Sequence, residues 1–200
     1  MKHPSPARRR FLQGALALIF AGTVNLPIRA ETTHKTLIVY LSRTGNNQAL
    51  AEFIAQETGG DLARIETLAP YPQNYQAMRN QVLKELADGI LPPIKPISHV
   101  ADYQQIIIVF PTWAMQLPPP VKTFLTTHNL SDKTILPLNT NAGYGVGSGF
   151  DEIKRLAVRA NVKTGLSLTG GNERDGKPFV MQGETLRQAQ AQVRTWLKQP

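Results

Sequence analysis

Lys35-Thr36-Leu37-Ile38-Val39-Tyr40-Leu41-Ser42-Arg43-Thr44-Gly45-Asn46-Asn47 is the stretch whose reading decides the fold. Its first seven residues are a short apolar, β-branched run, the pattern of a buried strand. From Asn47 to Glu57, Leu50, Ala51, Phe53, Ile54 and Ala55 recur at helical spacing. The polar turn 42–47 therefore lies where a strand ends and a helix begins. The first N–H groups of a helix lack partners and its dipole favours negative charge, so a phosphate is the natural guest there. Ser42, Thr44 and the side chains of Asn46 and Asn47 add donors, Arg43 adds a positive charge, and Gly45 lets backbone and ligand approach closely. The same residue types also cap helices that bind nothing, and the turn by itself does not separate the two readings.

The rest of the chain repeats the alternation. Residues 61–66 alternate apolar and charged, as an edge strand does, and 74–88 read as a helix with Ala77, Val82, Leu83, Leu86 and Ala87 as its stripe. Residues 91–96 form an extended, proline-rich connector. Ile106-Ile107-Ile108-Val109-Phe110 is an uninterrupted apolar run, the mark of a strand covered on both faces. A helix follows Pro118, then a strand at 134–138 in which Pro137 is unusual for a central position. A helix at 150–160, a strand at 162–168 and a helix at 184–198 complete the pattern. Five strand-helix units predict an α/β fold, a doubly wound five-stranded parallel sheet between two layers of helices. Such sheets bind ligands at the carboxyl ends of their strands, where strand order reverses.

Two more loops occupy such positions. In 111–117, Pro111, Thr112, Trp113, Ala114 and Met115 place a large aromatic just past a core strand, either for packing or for ligand contact. In 139–149, Thr140, Asn141, Gly143, Tyr144 and Gly145 belong to a glycine-rich segment, either a flexible connection or a surface for close backbone contact with a planar ligand.

Taken together, the three loops resemble those of the flavodoxin family over residues 35–198. The turn 42–47 resembles its phosphate loop, hydroxyl-x-Thr-Gly-x-Thr, with Asn47 in place of the last Thr. Pro111-Thr112-Trp113, followed by Pro119-Pro120-Val121 and a helix, resembles the loop that contacts the flavin in one branch of that family. The resemblance implies a flavodoxin-like three-layer sandwich holding FMN without a covalent bond. Its phosphate would lie on 42–47, its ring against Trp113 and the backbone of 112–115, with Tyr144 over the outer face. It also implies electron transfer with a redox partner protein or a quinone-like acceptor, the protein adjusting the cofactor's potential. An FMN-dependent quinone or NAD(P)H oxidoreductase and a flavin-free binding domain are the alternatives. Loops 111–117 and 139–149 contain no Asp or Glu, and with Arg43 nearby the reduced, negatively charged flavin is expected to be less disfavoured than in acidic relatives.

Composition narrows the remaining classes. The 200 residues suit one domain with a sizeable core, and the lack of cysteine excludes thiol catalysis and disulfides. The formal net charge of +8 is mostly a leader effect. Five of the 22 basic side chains fall in residues 1–30, which have no acidic ones, leaving 17 against 14. That balance argues against nucleic acid as a partner. His3, His34, His99 and His128 are too scattered for a metal site, and Ser148 lacks a nucleophile elbow. Asp151 and Glu152 are expected to complement a helix dipole, and 170–176 to form a surface loop, or in this fold one that approaches the flavin's edge.

Residues 1–30 have a basic head, a weak apolar stretch and Ile28-Arg29-Ala30 at a plausible cleavage point, as a secretory signal does. Arg8-Arg9-Arg10-Phe11-Leu12-Gln13 resembles the twin-arginine export motif. Export by the twin-arginine translocation machinery to the periplasm or otherwise out of the cytoplasm, cleavage after Ala30 and no stable membrane anchor are expected, with a leader retained as an anchor the alternative and 31–200 as the flavodoxin-like domain. A folded-protein route suits a cofactor loaded before export.

Overall fold

The computed structural model describes residues 35–199; the expected leader, its twin-arginine motif and its cleavage point lie outside them. Parallel strands β1 (Thr36–Tyr40), β2 (Asp61–Arg64), β3 (Gln105–Pro111) and β4 (Thr134–Asn141) are joined by helices. These are α1 (Asn46–Thr58) after β1, α2 (Tyr75–Asp88) after β2 and α3 (Pro119–Thr127) after β3. Beyond β4 come α4 (Gly149–Leu156), β5 (Asn161–Val162), β6 (Leu166–Thr169) and α5 (Gly183–Leu197). The spatial order is β2-β1-β3-β4, then β5 and β6, both pairing with β4. This is the doubly wound parallel sheet that the alternation predicts.

Side-chain alternation along the strands builds two cores. Leu37, Val39, Ile106, Ile108, Phe110 and Ile135 face Val121, Phe124 and Leu125 of α3 and Ile153 of α4. On the opposite face, Ile38, Tyr40, Ile107, Val109, Leu136 and Leu138 meet Leu50 and Ile54 of α1 and Val193 and Trp196 of α5. The central strands are thus apolar at nearly every position because helices cover both sides.

The fifth strand is broken, which the sequence reading of a continuous 162–168 strand did not anticipate. Lys163 N–H donates to Ile135 O and Gly170 N–H to Asn141 O, while Thr112 N–H donates to Thr140 O. Odd positions of β4 therefore face the fifth strand and even ones face β3. Pro137 is an odd position with no N–H, so the ladder lapses opposite it. Across that gap Trp196 Nε1 donates to Thr164 O at 2.8 Å. A Cβ at Gly165 would come within 2.5 Å of the Phe150 ring. The unusual proline and the break are one feature.

Two other readings are corrected. α4 ends at Leu156 rather than 160, because the chain reverses through Arg159 (φ 63°) to bring Asn161 N–H onto Lys133 O. In α2 the buried residues are Met78, Val82 and Glu85, while Leu83 is exposed. The 91–96 connector lies beside 66–68, with Lys95 N–H on Glu66 O and Leu68 N–H on Pro93 O. Among the described residues no helix is long and apolar enough to cross a membrane.

Phe110 is fully buried, and its ring meets that of Phe150 edge-on at 6.0 Å. Phe110→Ala is expected to lower stability by about 3–5 kcal/mol in urea unfolding, the cost of a large core cavity; a loss under 1 kcal/mol would contradict this packing.

Candidate functional site

Strand order reverses at β1, whose neighbours β2 and β3 lie on opposite sides, and the loops after β1, β3 and β4 meet there. They rim a cleft of about 220 Å³, open to solvent. Ser42, Arg43, Thr44, Asn46 and Asn47 line it from the first loop, Pro111, Thr112, Trp113 and Ala114 from the second, and Thr140, Asn141 and Ala142 from the third.

The first loop presents donors around one point. Gly45 sits at φ 92°, a left-handed conformation that side chains disfavour, with the Phe179 ring close against it. Ser42 Oγ accepts from Gly45 N–H at 3.2 Å, and Thr44 Oγ1 accepts from Asn46 Nδ2 at 2.7 Å. A hydroxyl that only accepts still has its proton to give. The first α1 bond runs from Ala49 N–H to Gly45 O, so the N–H groups of Asn46, Asn47 and Gln48 have no helical partner. Hydroxyl protons and helix-end amides together suit an anion.

The asparagine side chains are not part of that offer, contrary to the sequence reading. Asn47 Nδ2 donates to Leu41 O (2.9 Å) and its Oδ1 accepts from the Thr140 hydroxyl (2.7 Å). Asn46 Nδ2 also donates to Pro178 O, and its Oδ1 accepts from Val180 N–H and Met181 N–H. Both side chains are buried and hold the turn in shape.

Arg43 is likewise committed. Its Nε donates to both carboxylate oxygens of Glu173 at 2.9 and 3.0 Å, Nη1 donates to Pro72 O at 2.8 Å, and Nη2 donates to Gln73 O. Glu173 itself lines the cleft, with Gly171 and Asn172. The positive charge expected to favour reduced flavin is therefore neutralised by a carboxylate from the 170–176 loop, which reaches the cleft as the second of its two readings has it.

In the second loop Trp113 and Gln116 exchange backbone hydrogen bonds (2.9 and 3.2 Å) around Ala114 (φ 49°) and Met115 (φ 60°). This tight primed turn usually takes Asn-Gly, and non-glycine residues there carry strain of about 1 kcal/mol or more each. A clamp holds it. Glu152 Oε1 accepts from Leu117 N–H (3.0 Å) and Ser148 Oγ (2.7 Å), while Oε2 pairs with Lys122 Nζ at 2.6 Å. Burial pushes the Glu152 carboxyl up, but those three donors outweigh it and hold it below the usual range. Glu152 is thus a loop clamp and not simply a partner of the helix dipole. Trp113 lines the cleft, and the Tyr71 ring meets it edge-on at 5.2 Å. The Tyr71 hydroxyl donates to Glu85, and burial, reinforced by that carboxylate, pushes the phenol well above its ordinary value. It stays a protonated donor.

The third loop meets expectation only in part. Gly143 N–H and Gly145 N–H both donate to Asn141 Oδ1 at 2.9 Å, so these amides are held by the loop itself. Tyr144 is 69% exposed and, like Gly143, Gly145, Gly45 and Met115, is not among the cleft-lining residues. Thr112 Oγ1 donates to Gly145 O (3.1 Å) and accepts from buried Asn139 (3.0 Å), tying the second loop to the third.

One wall went unread in the sequence. Tyr75, Met78, Arg79 and Val82 of α2 line the cleft at i, i+3, i+4 and i+7, a single helical stripe. That spacing was legible, but aliphatic Leu83 and Leu86 drew the reading to another face. Among the described residues no cluster of His, Asp or Glu could hold a metal ion.

Two outcomes follow from the loop packing. A Cβ at Gly147 (φ 58°) would come within 2.0 Å of Met115 O. Gly147→Ala is expected to unseat the 113–116 turn, costing at least about 1–3 kcal/mol in thermal or urea unfolding; an unchanged melting temperature would refute the close approach. Glu152→Gln is expected to cost roughly 2–3 kcal/mol at neutral pH. Because the folded carboxyl is depressed, its stabilisation is present above the unfolded carboxyl range and lost as pH falls through the folded value. The difference between variant and parent in urea titrations should therefore shrink with acidification; a gap that widens would contradict the assignment.

Comparison with known proteins agrees with this geometry. No curated protein matches the chain. Among solved structures, a Bacteroides eggerthii protein described as a flavoprotein is 29% identical, with TM-score 0.62 over 68% of this chain and 88% of its own. A flavoprotein from Lactobacillus acidophilus, solved in complex with FMN, is 23% identical, with TM-score 0.59 over 72% of this chain and 98% of its own. A family model described as flavodoxin matches residues 35–181. The chain belongs to the flavodoxin family.

Proposed function

We propose that this protein binds FMN in the cleft and transfers electrons, and that it does so after export. The observation that carries the cofactor is the convergence, at one cleft, of an anion-accepting helix start and a half-buried indole. The phosphate would rest on the hydroxyl protons of Ser42 and Thr44 and the orphan amides of 46–48. Trp113 would give the ring a flat apolar face, held in place by Tyr71 and by the Glu152 clamp. Pro111, Thr112 and Ala114 would border it on the same side, with Thr140 and Asn141 beyond. When bound, FMN supplies the one- or two-electron chemistry. The protein's part is to orient it, limit water around it and set the charge nearby, to which Glu173 contributes despite the uncharged loops 111–117 and 139–149.

Export rests on the basic, twin-arginine-like leader, and a redox protein or quinone-like acceptor is the partner that this family membership suggests. A second reading, a reductase with its own small-molecule substrate, draws support from α2, which walls the cleft with side chains that the strand-end loops do not supply. Turnover with NAD(P)H and a quinone separates it from a carrier.

The test is a titration of residues 31–200 with FMN and with riboflavin, followed by fluorescence quenching. FMN should bind at least about tenfold more tightly than riboflavin, about 1.4 kcal/mol for the phosphate contacts. Equal affinities would remove the phosphate site, and a protein that stays colourless with excess FMN would leave the flavin-free alternative.

A further inference from the structure

Met78 and Val82 are buried, yet neither belongs to the two cores that flank the sheet. What they border is the cleft. Apolar side chains that border a cleft and belong to neither core are what a ligand wall looks like. On the same stripe Tyr75 adds an aromatic ring, and Arg79 adds a guanidinium that makes no ion pair or side-chain hydrogen bond among the described residues. The contrast with Arg43 is informative. That arginine also reaches the cleft, but Glu173 and two carbonyls consume its donors. The cleft thus has two places for negative charge, the start of α1 and Arg79. A mononucleotide brings one phosphate, which the first place satisfies.

We propose that the α2 face of the cleft is a subsite for a second small molecule, a planar aromatic anion. It lies against Tyr75, Met78 and Val82 with its charge on Arg79. The proposal deepens the reductase reading, and depends on the FMN reading only for the identity of the neighbouring occupant. The charge requirement follows from Arg79, and the planarity from the Tyr75 ring on the same stripe as apolar Met78 and Val82.

Equilibrium dialysis of anthraquinone-2-sulfonate and its neutral analogue 2-(hydroxymethyl)anthraquinone, against FMN-loaded and flavin-free protein, tests it. The sulfonate should bind about fivefold or more tightly than the neutral ring, as one solvent-accessible charge-assisted contact provides. Arg79→Gln should abolish that preference while leaving FMN affinity and the melting temperature unchanged, and Arg79→Lys should retain part of it. Met78→Ala should weaken both anthraquinones alike. Equal binding of the two rings by the parent protein, or a preference that survives Arg79→Gln, overturns the subsite. So does a loss of FMN affinity in Arg79→Gln, which would assign Arg79 to the cofactor. A protein that stays colourless but binds the sulfonate through Arg79 would keep the subsite and discard the FMN reading.

Discussion

Asn47 is the linchpin of the site. A parallel sheet buried on both faces must end somewhere, and the carbonyls at its strand ends need donors that water cannot supply. Asn47 gives its amide protons to Leu41 O at the end of β1 and takes the hydroxyl proton of Thr140 from β4. One side chain thus bridges two strands across the intervening β3. Asn46, beside it, gathers the 178–181 segment onto the same turn through three hydrogen bonds. Labour is divided as a result: amide side chains fix the shape of the turn, while backbone N–H groups and hydroxyls face outward.

The two ion pairs at the rim serve the same end. Arg43–Glu173 joins the first loop to 72–73 and to the 170s loop, and Lys122–Glu152 joins α3 to the start of α4, where Glu152 also holds Leu117 N–H of the second loop. Pairs of this kind add modestly to net stability, since desolvation offsets much of their attraction. Their value here lies in geometry, because each holds together segments remote in sequence. The strained turn at Ala114 and Met115 persists only because Leu117 N–H, Ser148 and Gly147 leave it no room to relax.

The fold was almost wholly legible. Apolar runs at 35–41 and 106–110 and the helix-spaced Leu50 to Ala55 point to one architecture, since alternation of strand and helix admits few topologies. Loop positions were legible too, and most of the residues singled out in 42–47, 111–114 and 140–141 line one cleft. The direction in which each side chain spends its hydrogen bonds was not. Asn46, Asn47 and Arg43 read as ligand donors because their residue types allow it, and only the tertiary structure reveals Pro178, Thr140 and Glu173 as their partners. Tyr144 misled for a related reason: an aromatic in a glycine-rich loop signals contact, but Asn141 folds that loop upon itself. The α2 wall was missed because its stripe mixes Tyr, Met, Arg and Val, and so resembles neither a core face nor a charged one.

Pro137 has a consequence beyond its own strand. The broken fifth strand is one margin of the sheet, and it offers a visiting chain a two-residue piece and a four-residue piece instead of an unbroken row of donors and acceptors. Past the other margin, β2, the chain continues into 66–68, which the proline-rich 91–96 segment covers. The broken border is a poor template for recruiting a further strand, the usual opening step of β-aggregation. A parallel sheet with open margins needs such guards wherever its concentration is high.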